Sequence, residues 1–473
     1  MSSFFGAMTT AISGIRAQAS ALGLISDNIA NSSTIGFKRT TASFSEIVTA
    51  SNNRIHVPGA VLARPSFTNS VQGAINSSDV STHMAINGEG FFIVAERIAT
   101  LDNQPVFLDV DRYTRRGDFT LDRNGYMVNG GGYYLKGLAI DPLTNNPIGD
   151  TPDLIQINRN FLPARATTTI DYEANLPAYP ETVIADPTVA NSELLLGGAP
   201  GGGADPFAND PSTITGGAGN GFVQAGDEQL FLDRSLAGGS ITVYDSLGAP
   251  ANVQLRWAKV DNAANGAGTG AGDTWNLFYK TSDTAVGAAA KWVNVGTDYI
   301  FNSSGVLTPA ISSTVVTGMT VNGVSLGNVT LDHGASNITQ FIDNNGTVAV
   351  NAIDQDGYAA GELVSIAVTE NGRVAGTYSN GKTIDLAEIS LAKFPGVNQL
   401  KKLDGTAFAA TQESGEAILG RAGDVIAQAT EASNVDIADE FSKLIVTQQA
   451  YSANTRIVTT ADDLIRETLN MKR

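Results

Sequence analysis

Gly376, Gly381, Lys382 and Thr383 stand at the spacing of a phosphate-binding loop, in which backbone amides cradle phosphates, a lysine reaches them and a hydroxyl holds Mg²⁺. That chemistry requires a helix opening directly behind the loop, because the helix N-terminus receives the phosphate. The flanking residues supply none. Leu363, Ile366 and Val368 precede Asn371-Gly372, Val374 and Tyr378 precede Asn380-Gly381, and Ile384 to Pro395 carry no helical period, so the stretch is expected to be a meander of hairpins. Asp354 and Asp356 before Gly357 resemble a calcium loop, but Ala352 and Leu363 occupy its first and twelfth ligand positions, which leaves a β-turn. His56, His83 and His333 are too scattered for a metal site, and no G-x-S-x-G elbow occurs. No catalytic, cofactor-binding or metal-binding residue is assigned, no cofactor is expected, and the chain is not expected to be an enzyme.

Composition narrows the remaining classes. At roughly 150 residues per domain, 473 residues suggest about three domains. Only 16% are charged, and Lys+Arg 29 against Asp+Glu 47 leaves −18, a surface that repels phosphate backbones and argues against nucleic acid. With Cys 0, disulfides, thiolate nucleophiles and iron–sulfur ligation are excluded together. No stretch has the 18 or so uncharged apolar residues of a membrane helix, so no membrane insertion is expected. The first residues lack the basic start and apolar block of a cleaved signal peptide.

The two ends share a pattern. Phe5, Ile12, Ala19 and Ser26 with Met8, Ile15, Leu22 and Ile29 fall on a heptad grid, predicting one helix with a narrow apolar seam. Gly6, Gly14 and Gly23 inside it each cost about 1 kcal/mol relative to Ala, so the helix needs a partner. At the other end Ile437, Leu444, Tyr451, Val458 and Ile465 recur at sevens, with Phe441, Gln448, Thr455, Asp462 and Leu469 as companions. Ser433 with Asp436 is spaced as a capping box, and Lys472 and Arg473 suit a helix C-terminus, so a helix of roughly 35 residues is expected.

Between the ends lie short alternating runs separated by Asn-Gly and Asp-Gly dipeptides, the mark of antiparallel hairpins. The fold class is therefore mainly β with α-helical termini. Residues 176–350 hold 25 of the 50 glycines and 15 acidic against 5 basic residues, and read as an inserted domain or pair of domains. Gly197 to Gly203, Gly216 to Gly221 and Gly266 to Gly272 read as exposed loops. The expected division is a helical layer (1–30 with 434–473), connecting segments (31–80 with 411–433), a β-rich domain (81–175 with 351–410) and the insertion (176–350).

Three blocks carry a family resemblance. Asn28, Ala30, Asn31, Thr34, Gly36, Phe37 and Lys38 match the Asn-x-Ala-Asn-x-x-Thr-x-Gly-Phe-Lys signature of the bacterial flagellar axial proteins of rod and hook. Ile86 to Phe92, Tyr113 to Phe119 and Asp122 to Gly125 resemble that family's β-domain signature. Glu431 to Asp462 resembles its C-terminal helix, although Gln449 stands where many members have Arg before the Ala-Tyr pair. Ser240 to Gly248, Gly357 to Lys382 and Phe394 to Lys402 are similar to strands of the hook branch, whereas short rod members lack a long insertion.

The resemblance implies a self-polymerising structural subunit of the flagellum. Its terminal helices would form an inner coiled coil through Phe5, Met8, Ile12, Ile15, Leu22 and Ile29, and through Ile437, Phe441, Leu444, Tyr451, Val458, Ile465 and Leu469. The insertion would lie outermost on a curved hollow tube that serves as a universal joint for torque. It further implies type III export without a cleaved signal, location at the cell exterior in the basal body and hook, and contacts with the hook cap, the distal rod protein and the hook–filament junction protein. A distal rod protein with an insertion, or a secreted β-rich adhesin or glycan-active protein, are the competing readings.

Overall fold

The structure is a computed structural model that describes residues 2–470 apart from 53–54, 143, 159–160, 198–205, 213–219, 263–271, 336 and 421–422, with side chains also left aside at 2–5, 48–58 and 468–469. Most of the three glycine-rich loops expected above lies outside the described residues. The chain divides into a discontinuous terminal unit, Met1–Asn160 with Leu363–Arg473, and a contiguous inserted unit, Phe161–Glu362.

The terminal unit begins with α1 (Ser2–Ala30) and a long hairpin of β1 (Thr40–Asn52) and β2 (Ile55–Phe67). Its sheet runs from Leu363–Val368 through Arg373–Tyr378, Thr383–Ile389, Tyr133–Ala139, Phe91–Leu101, Arg112–Thr114 and Ala407–Ala409 to Lys401–Lys402. The core of this sheet gathers Met84, Ile86, Phe92, Phe119, Met127 and Leu135 on one side and Phe91, Ile93, Phe394, Leu400 and Phe408 on the other. Along Phe91–Ala95 every side chain is buried, which a strand covered on both faces requires. The long C-terminal helix, Ile437–Asn470, is close to its expected length, but its cap is Asp436, whose Oδ1 accepts from the amides of Ala438 and Asp439. Ser433 accepts only a long bond from Val435 N, so the expected capping box starts at the wrong residue: Asp is an equally good N-cap and stands adjacent to the first helical turn.

The inserted unit packs two sheets over one core. One is antiparallel, in the order Phe222–Gln224, Ala290–Phe301, Asp273–Lys280, Pro250–Asp261, Leu236–Tyr244. The other centres on Thr169–Leu176, which pairs parallel with Val324–Asp332 and Ile338–Gln340 and antiparallel with Ala349–Gln355. These parallel pairings are the exception within a middle expected to be mostly antiparallel. Parallel neighbours need long connections, and here about 150 residues separate the partners, a span no turn dipeptide announces. Together with the antiparallel partner Ala349–Gln355, the parallel pairings draw Thr169–Leu176 into the inserted unit, whose bounds fall at 161 and 362 rather than 176 and 350. Tyr172, Trp257, Trp275 and Tyr299 are fully buried at its centre. A short helix, α2 (Glu228–Leu232), covers a smaller core with Phe231, Phe278 and Trp292, and we number the C-terminal helix α3.

Candidate assembly site

The residues following α1 form a buried junction. Asn28, 1% exposed, ends the helix by donating from Nδ2 to Thr40 O (2.9 Å) and Glu440 Oε2 (3.0 Å), while its Oδ1 accepts from Thr40 N. It thereby ties α1, β1 and α3 with one amide. Asn31 holds the exit turn through Asp27 and Thr34. Gly36 adopts φ +68° and its amide donates to Glu431 O, while a Cβ there would lie 2.7 Å from Arg116 N, so both the turn and the close backbone approach require glycine.

Lys38 then enters the protein. Its Nζ lies 2.5 Å from Glu431 Oε1 and 2.6 Å from Val71 O, with both partners of the ion pair essentially unexposed. The Glu431 carboxylate also accepts from Gly73 N (2.8 Å) and Arg115 Nη1 (3.3 Å), and Arg115 donates onward to Gly88 O. Burial pulls both cations below their ordinary pKa values, against the opposing pull of Glu431. Beside them Lys402 donates to Lys38 O and Thr40 Oγ1 and stands over the rings of Phe37 (4.9 Å) and Phe67 (5.7 Å). Burial lowers its pKa to about 8. Glu431, Arg115 and Lys402 all fall within or beside resembling blocks, yet their meeting was not legible, because Lys38 and Glu431 are 393 residues apart.

Above the junction α1 packs on α3 and on the hairpin, and it does so with an unexpected face. The buried residues are Ala11, Gly14, Ala17, Ala21, Ile25 and Asn28. Gly14 meets Asn454, where an added Cβ would sit 3.0 Å from the amide, and Thr10 and Ser13 bond to Gly59 O and Val61 N of β2. Small residues let these backbones approach closely. The apolar grid predicted from sequence lies about a third of a turn away at 100° per residue. Met8, Ile15, Leu22 and Ile29 remain half-buried, Ile12, Ala19 and Ser26 exposed, and the Phe5 side chain lies outside the described residues. On α3 the buried positions are Glu440, Thr447 and Ala461, with Leu444, Val458 and Ile465 half-buried. Ile437, Phe441, Ile445 and Tyr451 are exposed, and the Leu469 side chain is outside the described residues.

The phosphate-loop spacing resolves into the hairpin of Arg373–Tyr378 and Thr383–Ile389, turning at Gly381 with φ +79°. Asp356 is occupied by the amides of Thr168 and Thr169, the Thr168 hydroxyl and Arg165. His333 is buried, with Nε2 2.8 Å from the Tyr299 hydroxyl and Nδ1 3.0 Å from Tyr172 O. No helix among the described residues is long and apolar enough to cross a membrane.

Comparison with known proteins places these features in one family. Residues 8–38 match the flagella basal body rod protein model, 85–171 the flagellar hook protein FlgE/F/G D1 domain, 237–358 the flagellar basal body protein FlaE D2 domain, and 426–471 the flagellar basal body rod FlgEFG protein C-terminal model. The flagellar hook protein FlgE of Caulobacter vibrioides is 29% identical, covering 99% of each chain. That of Salmonella typhimurium is also 29% identical over 98% of this chain and 99% of its own, as is that of Escherichia coli over 98% and 100%. A solved structure, FlgE2 of Helicobacter pylori, covers 74% of this chain and 98% of its own at a TM-score of 0.47 and 15% identity. With four models of one family matched in order along it, and similarity to hook proteins over its full length, this chain belongs to the flagellar rod and hook protein family as a non-enzymatic structural subunit of the hook type.

Proposed function

We propose that copies of this chain polymerise through their terminal helices into the curved hollow tube of the hook, a universal joint that carries torque from rod to filament. The observation that carries the reading is the apolar stripe on α1, with Ile12 exposed and Met8, Ile15, Leu22 and Ile29 only half-buried, while α3 and the hairpin bury the small-residue face. An exposed row including Ile437, Phe441 and Tyr451 on α3 offers a matching surface. Each helix would thus use one face within the chain and another between chains, with Phe5 and Leu469 extending the two stripes. The junction at Lys38 would couple this inner layer to the β-rich domain, and the acidic inserted unit (Phe161–Glu362) would lie outermost, where weakly apolar surfaces slide past one another as the tube bends. The hook cap, the distal rod protein and the hook–filament junction protein are the expected partners at the tube's ends, and type III export the expected route to the cell exterior.

Ile12→Asp tests this reading. Ile12 is 36% exposed in the single chain, so the fold should survive. In the polymer, losing a buried Ile (about 1.5–3 kcal/mol) and burying a carboxylate (several kcal/mol) raises the critical concentration by orders of magnitude. Sedimentation and electron microscopy should show curved tubes from the parent and none from the variant. Tubes of ordinary yield from the variant would exclude the stripe from assembly, and straight tubes from the parent would favour the rod.

A further inference from the structure

The inserted unit places like charges side by side. Thr169–Leu176 alternates cleanly, with Ile170, Tyr172, Ala174 and Leu176 buried and Asp171 exposed between them. In the sheet register Asp171 stands opposite Asp332 on one neighbouring strand and opposite Asp354 on the other. Three aspartates therefore form a continuous row across three adjacent strands. Like charges directly opposite one another destabilise a sheet, and opposite-charge pairs are the usual solution at such positions. Here none is present.

The groups facing Asp171 are all accounted for. Asp332 Oδ1 accepts from Gly334 N and Asp354 Oδ1 from Gln355 N, so neither carboxylate is taken up by a cation. Glu173 on the same strand binds Asn337. Asp356 takes the nearby cation, Arg165, at 3.1 Å. Desolvation, then Asp332, Asp354, Asp356 and Glu173, raise the Asp171 pKa above its ordinary value. The unit as a whole has 20 acidic and 6 basic residues, so −14 of the chain's −18 resides in it.

We infer that the Asp332–Asp171–Asp354 row is a built-in electrostatic spring that holds the central strand of the inserted unit's sheet under repulsion at neutral pH and tightens it when the row is protonated or screened. The strand is the one through which the parallel and antiparallel halves of that sheet meet, so its pairing sets how firmly the sheet closes. The sign follows from linkage. A carboxyl whose folded pKa exceeds the unfolded one binds more protons in the native state, so the Asp171 contribution favours the native state in acid and is lost as pH rises through the folded value.

All three tryptophans, Trp257, Trp275 and Trp292, belong to the inserted unit, so tryptophan fluorescence of the full chain follows its melting alone. At pH 7 and low salt, Asp171→Asn should raise that midpoint by about 2–4 °C. The difference from the parent should close in 1 M NaCl and again on acidification, as the pH falls through the raised Asp171 value. Because the His333 titration is common to both proteins, it cancels in the difference. Asp354→Asn, on a separate strand, should give a rise of the same sign. A midpoint unchanged or lowered in both variants, or a rise that neither salt nor acid removes, would overturn the inference.

Discussion

The two units differ in the polar sets that join their central elements. At the junction of the terminal unit, Lys38 and Arg115 share the carboxylate of Glu431, a charged set whose desolvation is offset by the attraction of both cations to one carboxylate. At the centre of the inserted unit, apart from the Lys259–Asp273 pair, the set is one of uncharged donors and acceptors: Trp257 Nε1 donates to the Tyr172 hydroxyl, that hydroxyl to Gly238 O, and Tyr299 links His333 to Thr314. The first arrangement joins segments that hydrophobic packing alone would not orient, because α1 meets the rest of its unit mostly with Ala and Gly. The second sits inside an aromatic core that already fixes its geometry, and the hydrogen bonds pair the polar atoms of Tyr172, Trp257, Tyr299 and His333 buried there.

The contrast is broken most severely at Glu431. Glu431→Gln leaves two cations buried without a counter-charge, and breaking such a set costs about 3–5 kcal/mol. Denaturant unfolding of the full chain should show the terminal unit's transition shifted by that amount, with the tryptophan-reported transition of the inserted unit unmoved. Equal shifts in both would show that the junction supports more than its own unit.

Acid should single out the inserted unit. Burial depresses the pKa of His333 below 6.5, so the folded value lies beneath the unfolded one and the unfolded chain binds the extra proton first. Its contribution is therefore intact above about pH 6.5 and lost as pH falls toward the folded value, by up to about 1.4 kcal/mol per pH unit. Melting followed by tryptophan fluorescence between pH 7 and 5 should show this slope in the parent. His333→Gln should start lower and lose it.

Lys382 marks the small end of the scale. In Lys382→Ala the hairpin at Gly381 remains, so stability should stay within about 0.5 kcal/mol and calorimetry with ATP should show no binding in either protein. Micromolar ATP affinity in the parent that vanishes in the variant would contradict the turn.

What could be read from sequence follows the range of the interactions. Local chemistry was legible: the Asn380-Gly381 turn and the helix exit at Asn31 to Gly36 both act within a few residues. The heptad grid on α1 was legible as an apolar stripe but did not reveal which neighbour takes it. Small residues on the adjacent face, Gly14 above all, allow a closer approach of α3 than Ile12 or Ile15 would, so the packed face is the one with less hydrophobicity. Glu431 and the parallel pairings of Thr169–Leu176 were illegible for another reason. Each depends on partners more than a hundred residues distant, and no spacing rule reaches that far.

The junction also imposes a sequence of events in time. Asn28 finds Glu440 across 412 residues and Lys38 finds Glu431 across 393, so neither bond can form until nearly the whole chain is present in one place. The inserted unit takes all its strands from one continuous stretch and carries no such condition. A chain emerging end first from a narrow conduit would therefore hold α1 unlatched for almost its entire passage, with closure of the largest loop as the slow last step. Latching at Lys38 and Glu431 would then mark a subunit as fully delivered.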